Sequence, residues 1–393
     1  ASTILISCTI GAGILSLPFL FTQTHPLFSA INLIVAYAII LMASLFLGDL
    51  LQKLKKPHQM VGVARVFLSR RMGHFMIGAY FLYITGAILA YFIGSGEALA
   101  EVFPLFSART WTTLFFLAGA LILYFNLRVF SETEEFLTVF LIIFILGLIV
   151  YSTYHLSTGA FQELIERPIQ LSTAFIPLGS IFFALMGIMA IPDMYNSFSE
   201  KYKKNISSAI IIAISACVVL YVGFVLATLS LTGTENITEV ASIGLGRALG
   251  RIAMPFINLF SVFAMFTSFL ALAHSFKDSL YLDYHLPKKL SWILSVGIPF
   301  ILFMSLKTSF GFVVSITGTI AGMVQITFIL YMYYQFKGYA KRSTVDTDAI
   351  RPSYLRRKEK SHLPDWLTSK YAIISIMVCT LGIGMYSLVS LLL

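Results

Sequence analysis

Two stretches of this chain place helix-breaking residues inside otherwise continuous apolar sequence. The first reads TIGAGILSLPFLF, with Gly11, Gly13 and Pro18, and the second FIPLGSIFFALMGIMAIP, with Pro177, Gly179, Gly187 and Pro192. Glycine lowers the cost of leaving the helix, and proline removes an amide donor and clashes with the preceding turn. A helix broken inside a membrane leaves free amides at the N-terminus of one half, where a carboxylate is stabilised. It leaves free carbonyls at the end of the other half, which can receive an ammonium group or a metal cation. A zwitterionic amino acid carries both charges. Small residues also serve close helix packing, but interruptions at corresponding places in two halves of a chain point to a substrate site.

A third stretch offers oxygen atoms. Thr267 and Ser268 are adjacent hydroxyls, and the carbonyl of Ala264 lies one turn earlier, a set able to cage a small cation. Bonding of such hydroxyls back to their own helix is the competing reading. Carboxylates are few: Asp49, Glu97, Glu101 and Asp193 are expected near span ends, within reach of water, and Glu97 is the leading proton-carrier candidate. The seven histidines are scattered without an HExxH pair, so no catalytic residue is assigned and an integral-membrane enzyme is disfavoured. Neither a filter loop nor a ring of like charge suggests a channel. Cys8, Cys217 and Cys379 fall in apolar runs and read as buried small hydrophobes, with no disulfide or metal spacing.

The elements that position these residues are membrane helices. Only 11% of the 393 residues are charged and 58% are hydrophobic, too few charges to solvate a surface in water. Apolar runs lie at about 2–22, 28–51, 74–99, 110–127, 136–156, 172–193, 206–231, 252–275, 289–306, 311–334 and 371–393, each near the 20 or so residues that span a bilayer. The fold expected is therefore all-α and polytopic, with about eleven spans. No charged segment precedes the first run, so residues 1–22 read as a span, not a signal peptide. Residues 55–74 are too short and too charged to cross. Their Met60, Val63, Phe67 and Leu68 form one face of an amphipathic helix, expected at the cytoplasmic interface.

With the N-terminus in the cytoplasm, twenty-two of the 27 Lys and Arg residues fall in inside connections, including Lys55, Lys56, Arg128 and nine from Lys337 to Lys370. That is the positive-inside pattern. It accounts for the net charge of +9 without invoking nucleic acid. Midpoints of spans 1–5 and 6–10 are offset by about 175 residues. An odd number of spans per unit inverts the second unit. The expected organisation is a first repeat at 1–156, a second, inverted repeat at 172–334, a basic cytoplasmic loop at 335–370 and an eleventh helix at 371–393.

The runs GAGILSLP, AYFIGSGEAL, the IP after the second interruption and TSFLALA resemble the amino acid/auxin permease group and the related aromatic and hydroxy amino acid permeases. These belong to the amino acid–polyamine–organocation superfamily with the LeuT-type 5+5 inverted repeat. The resemblance implies a substrate held between the first and sixth spans and coupling to Na⁺ or H⁺. It implies that the backbone of Ile10, Gly11, Ala12 and Gly13 holds the carboxylate and that carbonyls from Phe182 to Met186, including Phe183 and Ala184, face the amine. Phe182 or Phe183 would close over the substrate, and Tyr83, Gly86 and Tyr91 would shape a side-chain pocket. A Na⁺ site would use the carbonyls of Ser7 and Ile10 with Ala264, Thr267 and Ser268. The absence of a lysine in the fifth span leans toward Na⁺.

The function expected is secondary active transport of a neutral amino acid, with aromatic and apolar ones as the candidate classes, by alternating access. No charged side chain is placed at mid-membrane to match a charged substrate. A sensor or exchanger on the same fold would share the binding site, and an enzyme is the remaining, disfavoured class. Beyond the amino acid, the coupling ion and the lipid bilayer, no cofactor and no nucleic acid is expected, and the sequence leaves protein partners open.

Overall fold

The computed structural model describes residues 2–54, 58, 60–125, 130–155, 159–342 and 363–392. Lys55, Lys56, Arg128 and residues 343–362 of the basic loop lie outside the described residues. Every regular element among the described residues is helical. In chain order these are α1 (Ser2–Thr9), α2 (Leu17–Thr22), α3 (Pro26–Lys53), α4 (Met60–Phe67), α5 (Arg70–Val102), α6 (Ala108–Tyr124), α7 (Phe130–Tyr154) and α8 (Gly159–Glu166). They continue as α9 (Leu178–Ala184), α10 (Ile191–Ser197), α11 (Ile206–Thr232), α12 (Ala241–Leu249) and α13 (Ala253–Asp278). The last four are α14 (Lys288–Ser305), α15 (Phe310–Thr317), α16 (Met323–Arg342) and α17 (Lys370–Leu392).

Eight of the helical runs described are long and apolar enough to cross a membrane. They occupy the places of the second, third and sixth to eleventh expected spans. The other three places are held by the short apolar helix Gly13–Thr22, by α6 with 17 residues, and by α7, which bends by 91° into α8. Large apolar side chains face outward along these runs, among them Ile34 (66% exposed), Phe256 (73%) and Val378 (64%). Such a surface is costly in water and suited to lipid.

The breaks occur where the sequence lacks helix-holding residues. α1 stops at Thr9, Gly11 is extended, and a 3₁₀ turn over Ala12–Ser16 leads into α2, whose first turn accepts Pro18. α9 stops at Ala184, a 3₁₀ turn covers Met186–Ala190, and α10 carries Pro192 in its first turn. In the tenth span a π-helical turn, Gly318–Gly322, joins α15 to α16.

Around the breaks, α1 packs on α11 and on the Met186–Ala190 turn, while α5 packs against α6, α13 and α15. Aromatic pairs tie α5 to α13, Phe92 to Phe269 at 5.0 Å and Phe81 to Phe276 at 4.6 Å. α4 buries Met60, Val61, Val63, Ala64 and Phe67, with Phe67 edge-on to Phe336 of α16. It is thus seated against the bundle, with Arg65 exposed on its outer side.

Three sequence expectations change. Asp49, expected near water, is 2% exposed inside the bundle. Tyr333 of α16 and Ile206 and Ile210 of α11 cover that end of α3, which hydropathy of α3 alone does not reveal. Cys8 and Cys379 are exposed while Cys217 is buried, because apolar sequence in a membrane protein faces lipid as readily as core. Two connections contain helices of their own, α8 and α12, too short and too polar to register as spans.

Candidate functional site

The two interrupted spans meet at their breaks. A Cβ on Gly13 would lie 2.7 Å from the Ala184 Cα and 3.1 Å from the Phe183 ring. A Cβ on Gly187 would overlap the Thr9 side chain. Each span therefore supplies one glycine against which the other's backbone rests, and any side chain there would force the pair apart.

Carbonyl groups freed by the breaks are taken up by phenols. Tyr221 of α11 donates toward two of them, with Oη 2.6 Å from Thr9 O and 2.8 Å from Ala184 O. From the α5 side, Tyr83 donates to Phe183 O at 3.3 Å. The Tyr83 and Phe183 rings lie 5.6 Å apart, tilted by 39°. The Gly11 amide turns back onto Thr9 O at 2.9 Å.

Of the residues expected at a site, the structure gathers Gly11, Gly13, Phe183, Ala184, Tyr83 and Tyr91. A Cβ on Gly11 would be 3.6 Å from the Tyr91 hydroxyl and 3.8 Å from the Ser268 hydroxyl. Ile10 is buried beside them, and Ala12 opens the 3₁₀ turn. Others point elsewhere. A Cβ on Gly86 would overlap Thr317, so that position faces the tenth span. A Cβ on Gly322 would stand 2.7 Å from Met186 Cε and 3.9 Å from Phe182 Cβ, so Phe182 and Met186 also pack toward the tenth span. Phe183, of the two phenylalanines, is the one at the breaks.

Two of the expected cation ligands, Ala264 and Ser268, lie near Gly11. Ser7 lies in α1, Ser268 is next to Gly11, and Ala264 and Gly11 line one narrow cavity with Phe144, Phe224, Ser242 and Phe260. Its free interior of about 20 Å³ is room for one water-sized particle. Thr267 donates its hydroxyl to Ala264 O (3.1 Å) and Phe263 O (3.2 Å). Among the described residues no cluster of His, Cys, Asp or Glu could hold a transition metal.

One end of the bundle is clasped by α12. Arg247 pairs with Glu101 through two bonds of 2.7 Å, the fork matching the carboxylate. That bond keeps the Arg247 guanidinium above its ordinary pKa. Glu239 accepts the amide of Gly311 at 2.8 Å, covering the N-terminus of α15, and lies within electrostatic reach of Glu97. Ser242 bonds to Asn258 (3.2 Å) and Ser261 (2.9 Å) of α13 in a buried cluster.

Tyr221 and Thr9 were not legible as site residues. A phenol in the centre of the apolar run VVLYVGFV is a signal, since a buried hydroxyl needs a partner, but only the fold names that partner.

The fold that carries these residues is similar to that of known transporters. The chain superposes on Mhp1, a nucleobase-cation-symport-1 family transporter in a closed conformation with bromovinylhydantoin bound, with a TM-score of 0.58 at 15% identity, covering 99% of this chain and 91% of that one. A variant of the Eremococcus coleocola manganese transporter gives 0.53 at 15% identity, with 99% and 93% covered. A second variant of that transporter gives 0.52 at 14%, with the same coverage. These likenesses show the LeuT-type fold. None of the individually curated proteins matches in sequence. The model of the tryptophan/tyrosine permease family matches residues 1–344. The chain is thus a member of the tryptophan/tyrosine permease family, an integral, multi-pass secondary transporter of a small molecule.

Proposed function

We propose that this carrier moves a neutral amino acid, an aromatic one above all, by symport with Na⁺ or H⁺. The observation that carries the reading is the meeting of the two broken spans at Gly13 and Ala184, where backbone carbonyls and amides come together away from water. Among the described residues gathered there none is acidic or basic, which suits a zwitterion with an uncharged side chain. The amides after Gly11 bind the carboxylate, the carbonyls at the end of α9 bind the ammonium, and the Phe183, Tyr83 and Tyr91 rings enclose the side chain. Membership of a family described by tryptophan and tyrosine supports an aromatic substrate.

Alternating access follows from the two-part construction. Residues 1–156 and 172–334 act as inverted halves, the broken spans with α3 and α11 rocking against α5, α13 and their neighbours. Substrate and ion together lower the energy of the occluded arrangement. The basic-residue asymmetry supports an N-terminus in the cytoplasm. The hydroxyls of Thr267 and Ser268, one beside Gly11, favour Na⁺ as the coupling ion.

The experiment is uptake of labelled tryptophan, tyrosine and leucine into proteoliposomes under a Na⁺ gradient and, separately, a pH gradient. Uptake driven by Na⁺ alone supports the Thr267–Ser268 site, and uptake driven by pH alone moves the coupling to a carboxylate such as Glu97. Arginine or glutamate uptake without neutral amino acid uptake would refute the substrate class. Binding without uptake would favour a sensor.

A further inference from the structure

Tyr221 sits mid-way along α11, 1% exposed, in a run that otherwise offers only hydrocarbon and glycine. Its Oη lies 2.6 Å from the carbonyl of Thr9 and 2.8 Å from that of Ala184. These are the terminal carbonyls of α1 and α9, the first halves of the two interrupted spans. A phenol has one proton, and two acceptors stand within its reach. Thr9 O has a second donor in the Gly11 amide at 2.9 Å. A buried carbonyl deprived of its donor shifts an equilibrium by about tenfold or more. A carrier must close over these carbonyls twice in each cycle, once with substrate and once without it.

We propose that the Tyr221 hydroxyl is the resident donor at the junction of the broken helices. In the unloaded return step it takes the place that the substrate's ammonium group takes in the loaded step. This rests on the amino acid carrier reading above. An ammonium brings three donors to acceptors for which the phenol has one, so loading releases Tyr221 and unloading restores it. The hydroxyl is then required for the return of the unloaded carrier and dispensable for movement with substrate. Tyr221 is a positioning residue on this account, acting through the two helix ends.

The test uses Tyr221→Phe, which keeps the ring and removes one oxygen, beside Tyr37→Phe. The Tyr37 hydroxyl meets Ser215 at 2.8 Å between α3 and α11 and touches neither break. Net uptake of labelled tryptophan into liposomes lacking it requires the unloaded return, whereas exchange against internal tryptophan does not. Tyr221→Phe should lose net uptake by about tenfold or more and keep exchange within about threefold, a split that general damage would not produce. Tyr37→Phe should keep both. Equal loss in the two modes, or loss in neither, overturns the proposal. Saturating tryptophan should also raise the melting temperature of purified Tyr221→Phe protein more than that of wild type, and equal rises would overturn it too. Wild type inert in both modes would instead sink the carrier reading beneath it.

Discussion

Tyr333, on the tenth span, reaches across to the second and donates its phenolic proton to Asp49 Oδ2 at 2.9 Å. Lys53, one turn along α3, lies 3.6 Å from the other carboxylate oxygen. The Tyr333 ring is stacked on Phe46 at 4.3 Å, which fixes the direction of the hydroxyl. Asp49 and Lys53 are 2% and 5% exposed. Removing one member of a buried ion pair costs about 3–5 kcal/mol. Asp49→Ala should therefore lower the thermal midpoint in detergent more than Tyr333→Phe, which deletes one hydrogen bond worth about 1.5–3 kcal/mol to a charged group. A wild-type midpoint in Asp49→Ala would show that the pair contributes nothing.

Gly13 is a steric prediction. The atom its Cβ would strike is backbone, the Ala184 Cα at 2.7 Å, which has no rotamer to yield. Overpacking of this kind costs about 1–3 kcal/mol, and in a site built on close approach it should reduce transport about tenfold to a hundredfold. Gly78→Ala, where no atom lies within 4 Å, is the matched control and should transport normally. Equal activities in the two variants would remove the close approach from the mechanism.

Phe183 and Phe182 separate packing from binding. Phe183→Ala opens the break beside Tyr83 and should raise the KM for aromatic amino acids about tenfold through lost ring contacts. Phe182→Ala empties a position that is 0% exposed and turned toward the tenth span. There the cost should appear as about 3–5 kcal/mol of stability. The comparison to make is KM and melting temperature for both variants. A reversed pattern would reassign the two rings.

Thr267→Ala tests the coupling ion. Loss of one oxygen ligand should raise the Na⁺ concentration for half-maximal uptake by about tenfold, leaving uptake driven by a pH gradient unaffected. Because the Thr267 hydroxyl already bonds its own helix at Ala264 O, Thr267→Ser should behave nearly as wild type. Unchanged Na⁺ dependence in Thr267→Ala would place the ion elsewhere.

The interruptions themselves were legible because Gly11, Gly13, Gly187 and Pro192 each weaken the helix locally and recur at corresponding places in both halves, whereas the scattered Gly86, Gly94 and Gly96 leave α5 unbroken. The membrane class was legible for the same reason, since each apolar run is long enough to declare itself. Which face of a span meets which neighbour is a tertiary fact. The resemblance to amino acid permeases implies a pocket role for Gly86, yet Thr317 from the tenth span fills the space before it. Phe182 and Phe183 are indistinguishable in sequence, and one residue's rotation about the α9 axis sends one ring to Gly13 and the other toward Gly322. Tyr221 carries no local signal of its role because its two acceptors lie 212 and 37 residues away along the chain.

The spans also differ in length more than a flat bilayer allows. α5 runs for 33 residues, about 50 Å of helix, while α6, joined to it by a short turn, has 17 residues and about 25 Å. A hydrocarbon layer of about 30 Å suits neither. The longer helix must tilt or project beyond the headgroups, carrying Arg70 and Arg71 with it, and the shorter one must draw the lipid inward. Bilayer thickness thereby becomes a physical input to the rocking motion, because tilting α5 changes how much of the thinned annulus around α6 has to be maintained. The same protein in short-chain and long-chain lipid should turn over at different rates with every contact at its site unchanged.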